Sequence, residues 1–399
     1  MRFTTILVLC AIPLLAADWP QWRGPNRDGI SPETGLLKQW PQGGPKLVWK
    51  AAGLGEGYSS FSVSSGRLFT QGQRAGVQYV MAFDVASGKK QWEVANGQAY
   101  EERRGNGPRG APTVDGDRVY ALAADGSLVC LEAATGKKLW GFNIVSRYGG
   151  EVPHWGISES PLVDGTRLIV QPGGSGASIV ALDKLSGKEV WKSPGDPAAY
   201  SSAILAQVGG IKQLLHFTSD AAVGLRADNG ERLWRYTQVS NRTANVATPI
   251  YRNGHAFFSS DYGTGAALLK LDADASGKRA QEVYFTREMR NHYSSSVLVG
   301  QHLYGFSSSV LTAMKFDDGS VAWRDRSVGK GTVIFADGML YCQGENGTIA
   351  LVEATPAGYK EVSRFSISIG GYPLWTLPVI ANGQLYVRDQ DTLYRYAVK

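Results

Sequence analysis

Apolar and polar residues alternate along residues 111–140, which read APTVDGDRVYALAADGSLVCLEAATGKKLW. The alternation is interrupted at residues 115–116, 125–126 and 134–136, where Asp-Gly or Thr-Gly pairs supply the positive φ angles of tight turns. A period of two between the turns is typical of β-strands. The pattern therefore predicts four short antiparallel strands that follow one another along the chain.

Weaker copies of this unit recur along the rest of the chain. The aromatic residue that ends the unit returns with each clear copy, at Trp92, Trp140, Trp191, Trp234 and Trp323. Degenerate copies without this Trp lie at residues 248–285 and 332–365, and a last copy that begins at residue 376 has three strands. A repeat of this length predicts sheets packed side by side, in a propeller or a solenoid.

The last copy lacks a fourth strand, and residues 46–50 (KLVWK) form a strand that has no preceding partner strands. Pairing the two would remove the exposed sheet edges at the chain ends. We therefore predict an all-β fold, an eight-bladed β-propeller of four-stranded antiparallel blades that is closed by an N-terminal strand in the last blade. A seven-bladed ring is the alternative, if one degenerate copy is a loop.

The N-terminus differs from the repeats. Residues 1–17 combine one Arg, a short apolar stretch and small residues at the end, which predicts a cleavable signal peptide; a retained N-terminal anchor is the alternative. We expect residues 18–45 to be an extended segment and residues 46–399 to be one propeller domain. Export predicts a location in the periplasm, outside the cell or at the envelope, with no transmembrane segment after signal removal.

The net charge bears on the class of binding partner, and the cysteine content bears on disulfide bonding. The formal net charge of +6 is too small an excess to indicate nucleic acid. After signal removal, Cys130 and Cys342 remain in separate copies of the repeat, so a disulfide between them is excluded and buried free thiols are expected. We expect a monomer.

The segment at residues 18–30, DWPQWRGPNRDGI, is too rich in Pro, Gly and Asn for regular structure. It carries two large apolar side chains, Trp19 and Trp22, which need burial. We expect these indoles to pack on the surface of the ring. The alternative is that the segment is a docking peptide for a partner.

Several strings in the chain resemble a known family. Residues 82–92 (AFDVASGKKQW), 130–140 (CLEAATGKKLW) and 181–191 (ALDKLSGKEVW) are similar to the repeat of the pyrroloquinoline quinone (PQQ) repeat propellers. That family includes quinoprotein alcohol dehydrogenases and the propeller subunit, factor B, of the outer-membrane β-barrel assembly machinery. Residues 18–29, 153–165 and 244–250 also resemble a group of secreted bacterial PQQ-like propellers.

The resemblance implies the fold and leaves the function open. In the repeat the Ser/Thr-Gly pair makes a turn, the Asp accepts hydrogen bonds within that turn, and the Trp fills the gap between sheets. We therefore interpret Asp84, Asp183 and the repeat Trp residues as structural, and the family name implies no bound quinone.

Ligand-binding residues are expected where the blades converge around the central channel, on the linkers before the innermost strands and on the second turn of each blade. These positions carry arginines that suit anions, aromatics that suit stacking, amides, and His, Glu or Asp side chains that suit acid-base work. The predicted funnel-rim residues are Arg103, Arg104, Arg109, His154, Trp155, Glu159, Tyr200, Arg242, Asn245, Asp261, His292, Tyr293 and Trp375. No catalytic residue and no metal-ligand set is predicted.

Three classes of function compete. The first is an exported binding or scaffolding propeller for a protein or peptide partner or a small polar ligand, which requires no cofactor. The second is a PQQ- and calcium-dependent quinoprotein dehydrogenase of alcohols or sugars, although the chain has no adjacent Cys pair and is shorter than those enzymes. The third is a carbohydrate-active hydrolase or lyase. We expect the first.

Overall fold

A computed structural model describes residues 17–272 and 279–399, so that only Ala17 of the predicted signal peptide falls within the described residues. The described chain forms eight sheets, each built from four consecutive antiparallel strands or, in one case, from three strands and an earlier one. We number the sheets as blades 1 to 8 in chain order. The prediction of an all-β, eight-bladed propeller is therefore confirmed, in place of the seven-bladed alternative.

In blades 1 to 7 the four strands run in chain order from the innermost to the outermost position, and in blade 8 an N-terminal strand takes the outermost position. In blades 1 to 4 they are Ser62–Ser64, Arg67–Arg74, Val77–Asp84 and Lys90–Gln98; Thr113–Asp115, Arg118–Leu122, Ser127–Glu132 and Lys138–Asn143; Leu162–Asp164, Arg167–Val170, Ile179–Asp183 and Glu189–Ser193; Ile204–Val208, Ile211–Phe217, Ala222–Arg226 and Arg232–Tyr236. A short helix, Ile144–Tyr148, follows blade 2.

Blades 5 to 8 complete the ring. Their strands are Ile250–Arg252, His255–Ser260, Gly265–Leu271 and Ala280–Thr286; Val297–Val299, His302–Ser307, Val310–Lys315 and Val321–Asp325; Gly331–Ala336, Met339–Gly344, Thr348–Glu353 and Glu361–Ser366; Val379–Ala381, Gln384–Asp389, Thr392–Ala397 and Lys46–Ala51. A further two-residue strand, Ile30–Ser31, pairs in parallel with the innermost strand of blade 7.

The two ends of the propeller meet in blade 8. Lys46–Ala51 pairs antiparallel with Thr392–Ala397, with Lys46 opposite Ala397 and Ala51 opposite Leu393. The buried Arg388 joins blade 8 to blade 1, because its guanidinium donates to the carbonyls of Ser59 (3.1 Å) and Gly55 (3.1 Å). The predicted closure by an N-terminal strand is thus confirmed, and it removes an open sheet edge.

The repeat Trp residues lie between adjacent blades. Trp92 on the outermost strand of blade 1 donates through Nε1 to the carbonyl of Ala133 in blade 2 (3.1 Å). Its ring covers Gly136, whose φ is +75° and where an added Cβ would lie 2.8 Å from the indole. The Thr-Gly turn of one blade and the Trp of the preceding blade therefore form one packing unit, which explains why both recur.

Residues 18–31, which we call the channel segment, enter the centre of the ring. Trp19 is completely buried and its backbone exchanges two hydrogen bonds with Val63 on the innermost strand of blade 1 (2.8 Å each). The carbonyl of Pro20 accepts from Val114 in blade 2 (2.7 Å). At the other end, Ser31 donates to the carbonyl of Ile380 in blade 8 (3.1 Å). The expectation that both indoles pack on the ring surface is wrong for Trp19, because this part of the chain fills the channel.

Two buried arginines hold the tip of the channel segment. Arg23 donates to the carbonyl of Ser296 (2.6 Å) and Arg27 to the carbonyl of Ser160 (2.9 Å), so the segment bridges opposite sides of the ring. Burial lowers the pKa of Arg23 to about 10 and that of Arg27 to about 9, which leaves the two guanidinium groups charged at neutral pH. The backbone carbonyls around the channel thus replace water as hydrogen-bond partners.

Both cysteines in the described chain are buried free thiols, as predicted. Burial raises the pKa of Cys130 and of Cys342. Among the residues that the structure covers, no helix has the length and apolar character needed to span a membrane.

Candidate ligand-binding site

The strand order brings two kinds of loop to one face of the ring. The linker that precedes each innermost strand, called here the inner linker, arrives at that face. The turn between the second and third strands returns there because antiparallel strands alternate in direction. We call this the funnel face. Asp18 lies at the opposite face, where its carboxylate accepts from Ser64 Oγ (2.9 Å) beside the first turn of blade 1.

Hydroxyl groups fix the inner linkers to one another. Ser60 Oγ donates to the carbonyl of Leu377 (2.8 Å), and Ser201 Oγ donates to the carbonyl of Ala247 (2.9 Å). All four residues belong to inner linkers of different blades. These buried contacts hold the side chains at the funnel face in place.

A cavity of about 480 Å³ opens at the funnel face, and every inner linker contributes to its wall. A volume of this size suits a small-molecule ligand. The lining residues are Trp22, Tyr58, Glu102, Arg104, Arg109, Trp155, Ser158, Tyr200, Ser202, Thr243, Ala244, Val246, Tyr262, His292, Tyr293, Lys330 and Trp375.

An arc of aromatic rings forms one side of the cavity. Trp375 lies 5.2 Å from Tyr58 and 5.4 Å from Tyr293 between ring centroids, with interplanar angles of 41° and 32°. His292 continues the arc towards Tyr262, at 5.1 Å. The indole of Trp375 is held in place because its Nε1 donates to the carboxylate of Glu345 (2.8 Å). The rings therefore line the wall at inclined angles to one another.

The other side of the cavity carries a second aromatic group. Trp155 lies 5.6 Å from Tyr200, at an interplanar angle of 51°, and the backbone N–H of Trp155 donates to the Tyr200 hydroxyl (3.4 Å). The imidazole of His154 packs edge-on against Trp155, with ring centroids 5.0 Å apart. Burial raises the pKa of Tyr200 to about 12, so its phenol stays neutral at physiological pH.

The channel segment supplies Trp22 to the lining. The indole Nε1 of Trp22 donates to Thr248 Oγ1 in the inner linker of blade 5 (2.9 Å). Since Arg23 and Trp19 lie buried beside it within the ring, the cavity ends at the channel segment. The chain thus closes its own central channel beneath the cavity.

Three cations line the cavity and they differ in their partners. The Arg109 guanidinium lies 4.8 Å from the Tyr100 ring centroid and donates to the carbonyl of Gly105 (2.7 Å). Lys330 Nζ lies 5.8 Å from the Tyr293 ring centroid. Within residues 17–272 and 279–399, no hydrogen bond or ion pair is formed by the Lys330 ammonium or by the exposed Arg104 guanidinium. These two charges are therefore available to a ligand.

His292 and Tyr293 are neutral at physiological pH. Burial, followed by the nearby charge of Lys330, lowers the pKa of His292 to about 4, while Asp261 opposes the shift. Burial raises the pKa of Tyr293 well above its usual value. The positive charge of the wall consequently comes from Arg104, Arg109 and Lys330.

The structure brings seven of the thirteen predicted funnel-rim residues to the cavity wall: Arg104, Arg109, Trp155, Tyr200, His292, Tyr293 and Trp375. Of the others, Arg103 and Arg242 are exposed outside the lining, and His154 reaches it only through its contact with Trp155.

The remaining three predicted residues serve contacts within the ring. Glu159 is buried, accepts a hydrogen bond from the backbone N–H of Gln171, and lies 3.6 Å from His216 Nε2. Asn245 donates to the carbonyl of Ser219 (2.7 Å), and Asp261 accepts from Ser308 Oγ (2.9 Å). Their polar groups are engaged by protein partners rather than directed to the cavity.

Two lining residues show which signals the sequence offered. Lys330 precedes Gly331–Ala336, the innermost strand of blade 7, so the rule that selects inner linkers would have found it, but its repeat is degenerate. Trp22 lies outside the repeat, and its place in the cavity depends on the path of the channel segment. No local pattern in the sequence indicates that path.

Comparisons with known proteins agree with the fold. A family model described as outer membrane protein assembly factor BamB, a PQQ repeat, matches residues 76–325. Two solved structures share the architecture: quinohemoprotein alcohol dehydrogenase from Comamonas testosteroni (13% identity, 96% of this chain, 80% of that chain, TM-score 0.67) and a europium-containing methanol dehydrogenase (11% identity, 93% of this chain, 89% of that chain, TM-score 0.69). At such identities the likeness concerns the fold alone.

One curated relative aligns more closely over a short stretch. Quinohemoprotein alcohol dehydrogenase ADH IIB of Pseudomonas putida is 33% identical over 130 residues, which are 30% of this chain and 18% of that enzyme. The chain thus matches less than a fifth of the length of this relative. The family match covers more than half of the chain, and on that basis the chain belongs to the PQQ-repeat propeller family described as outer membrane protein assembly factor BamB.

Proposed function

We propose that this protein is an exported, non-catalytic binding propeller that holds a small polar ligand in the funnel-face cavity. The observation that carries the proposal is the convergence of all eight inner linkers on one cavity of about 480 Å³. Its wall combines aromatic rings, hydroxyl groups and two cations, Arg104 and Lys330, whose side chains form no hydrogen bond or ion pair within the described residues. Such a mixture of stacking surfaces and a few polar groups is typical of ligand sites.

A quinoprotein dehydrogenase is the second candidate, because the aligned relative is an enzyme of that kind. Calcium prefers six to eight oxygen ligands, several of them carboxylates, at about 2.3–2.6 Å. The lining contains one carboxylate, Glu102, which accepts from the backbone N–H of Arg104 (2.7 Å). The described residues also contain no group of three or more His, Cys, Asp or Glu side chains arranged for a metal. The donor set of this cavity does not fit calcium.

Hydrolysis of glycosides is supported less well. That reaction uses a pair of carboxylates on either side of the scissile bond. Glu102 stands alone in the lining, and the carboxylate of Glu345 is engaged by Trp375. We therefore assign the rings and cations to binding.

The first test asks whether the cavity retains a molecule. Native mass spectrometry of the protein isolated from its own cells should detect a bound small molecule, and a Trp155→Ala/Trp375→Ala double variant should lose it. Arg103→Ala is the matched control, since Arg103 is exposed beside the lining. Equal occupancy of the wild type and the double variant, or none in the wild type, contradicts the proposal.

The second test asks whether the protein turns over substrate. After reconstitution with PQQ and Ca²⁺, a dye-linked assay over alcohols and sugars should give no activity above a protein-free blank. Turnover that requires both additions and is lost in Trp375→Ala would establish the dehydrogenase in place of the binding propeller.

A further inference from the structure

We propose that the ligand class of the cavity is an anionic sugar, a pyranose that carries a carboxylate or a sulfate, with its acid group beside Lys330 and Arg104. This inference rests on the proposed binding function and deepens it. Three features of the wall support it: its charge, the inclination of its rings, and its hydroxyl groups.

The charge of the wall selects an anion. Arg104, Arg109 and Lys330 face one carboxylate, Glu102, in the lining. Arg109 already has carbonyl partners, whereas the side chains of Lys330 and Arg104 have none in the described chain. An unpartnered cation in a concave, partly dry site attracts an oxyanion more strongly than one in open water.

Lys330 places a positive charge close to two of the aromatic rings. Its Nζ lies 5.8 Å from the ring centroid of Tyr293 and 6.0 Å from that of Trp375. The backbone at Lys330 is held by a hydrogen bond from Glu345 N to its carbonyl (2.9 Å). A ligand bound over these two rings would therefore place an acid group within reach of the ammonium.

The shape of the aromatic wall favours a sugar over a flat ring. Neighbouring rings are inclined by 41° at Tyr58 and Trp375, by 32° at Trp375 and Tyr293, and by 51° at Trp155 and Tyr200. Inclined rings form a concave surface, which matches the C–H groups on a puckered pyranose. A flat aromatic ligand would contact one of them at a time.

The lining also offers short polar groups between the rings. Ser158, Ser202 and Thr243 belong to the wall, and Tyr200 adds a phenol that is neutral at physiological pH. Ser158 Oγ donates to the carbonyl of Gly156 (3.2 Å), and Ser202 Oγ and the Tyr200 hydroxyl each accept from a backbone N–H, which leaves these two hydroxyls able to donate to a ligand. Hydroxyl groups both donate and accept, as do the hydroxyls of a sugar. The combination of aromatic faces, hydroxyls and two available cations matches the parts of an acidic saccharide.

Isothermal titration calorimetry with defined probes tests the inference. We expect digalacturonate or glucose 6-sulfate to bind, and the uncharged dimethyl ester of digalacturonate to bind about tenfold or more weakly, because charged hydrogen bonds are lost. A flat acid, naphthalene-2,6-dicarboxylate, should bind more weakly than the acidic sugars. Comparing the affinities of these two acidic sugars shows whether the site prefers a carboxylate or a sulfate.

Substitutions test which residues supply the positive charge that selects the acidic sugar. Lys330→Met and Arg104→Met should each weaken the acidic sugar about tenfold, leave the ester unchanged, and thus reduce the preference for acid over ester. Lys330→Arg should retain that preference. Arg103→Met is the matched control beside Arg104, and Lys137→Met removes an exposed charge on the opposite face.

The outcomes separate this inference from the binding function. Equal affinity for acid and ester, stronger binding of the naphthalene acid, or no binding of either acidic sugar overturns the anionic-sugar class. If native mass spectrometry still finds a different molecule that depends on Trp155 and Trp375, the binding function stands while this inference falls.

Discussion

The Trp residues of the repeat and the Trp residues of the funnel face differ in what they contact. Trp191 of blade 3 is 7% exposed, and its Nε1 donates to the carbonyl of Ala227 in blade 4 (3.1 Å). Trp155 and Trp375 are half-buried and line the cavity. The same side chain therefore packs between blades on an outer strand and lines the cavity on an inner linker.

The comparison teaches that position within a blade decides the role of an aromatic residue. Trp191 is covered by Gly230 in the turn of the next blade, where an added Cβ would lie 2.5 Å from the indole. Trp191, Trp234 and Trp323 are buried, whereas the repeat residues Trp92 and Trp140 are half-buried. Trp155 and Trp375 lie on inner linkers, contact neighbouring aromatic rings and border the cavity. Removing the first kind should cost stability, whereas removing the second kind should cost binding.

The largest effect is expected at a repeat Trp. Trp191→Ala leaves a cavity between blades 3 and 4 and removes one of the two donors to the carbonyl of Ala227, the other being Arg167 Nη1 (3.4 Å), so we expect a loss of about 3–5 kcal/mol in the free energy of unfolding. Urea denaturation followed by far-UV circular dichroism measures it. A loss below about 1 kcal/mol would show that the repeat Trp does not hold the blades together.

The next effect concerns the turn beneath the Trp. Gly136→Ala forces an L-residue into φ +75° and brings a Cβ to 2.8 Å from Trp92, for an expected loss of about 2–3 kcal/mol. Gly116→Ala is the matched control in the same blade, because φ is +59° there and nothing lies within 4 Å of the added Cβ. If both variants lose the same stability, the contact with Trp92 contributes nothing.

His292 should make stability depend on pH. Its pKa is about 4 in the folded protein and about 6.5 in the unfolded chain, so below pH 6.5 the unfolded state binds more protons and stability falls as the pH drops towards 4. Each pKa unit corresponds to about 1.4 kcal/mol, and since the imidazole is half-buried and solvent screens part of its charge, we expect a loss of up to about 2 kcal/mol over that range. The groups that face the imidazole are Lys330, Arg104, Asp261, Tyr262 and Tyr293.

The measurement compares wild type and His292→Gln by chemical denaturation at several pH values. Since the other groups are common to both proteins, the difference between the two stability curves isolates the imidazole. Parallel curves between pH 6.5 and 4 would mean that His292 is protonated with equal ease in the folded and unfolded states.

The smallest effect on stability is expected at a funnel Trp. Trp155→Ala removes a side chain with a free face, so we expect a change of about 1 kcal/mol or less in unfolding free energy. Binding of the ligand should fall in the same variant. A loss as large as that of Trp191→Ala would remove the distinction between the two sets of Trp.

The sequence predicted the blades well because their signals are local. Asp-Gly and Thr-Gly turns and alternating apolar residues are read within one unit, and the three-stranded last copy pointed to Lys46–Ala51 as its partner. Each step needed only neighbouring residues and the rule that sheet edges are paired.

The cavity was predicted only in part because its residues meet through contacts that are distant in sequence. Tyr293 and Trp375 were predicted correctly because they lie on inner linkers. The same rule also selected Asn245, whose amide donates to the carbonyl of Ser219 and does not line the cavity. Trp22 depends on the buried path of the channel segment. Rotamers and long-range hydrogen bonds, which the sequence pattern does not encode, decided these cases.

The channel segment has a consequence for traffic through the ring. With Trp19 and Arg23 packed across the central opening, a molecule that enters beside Trp22 meets a dead end. A ligand of this cavity would therefore enter and leave on the funnel face. The ring therefore encloses a pocket that is closed at one end rather than an open central channel.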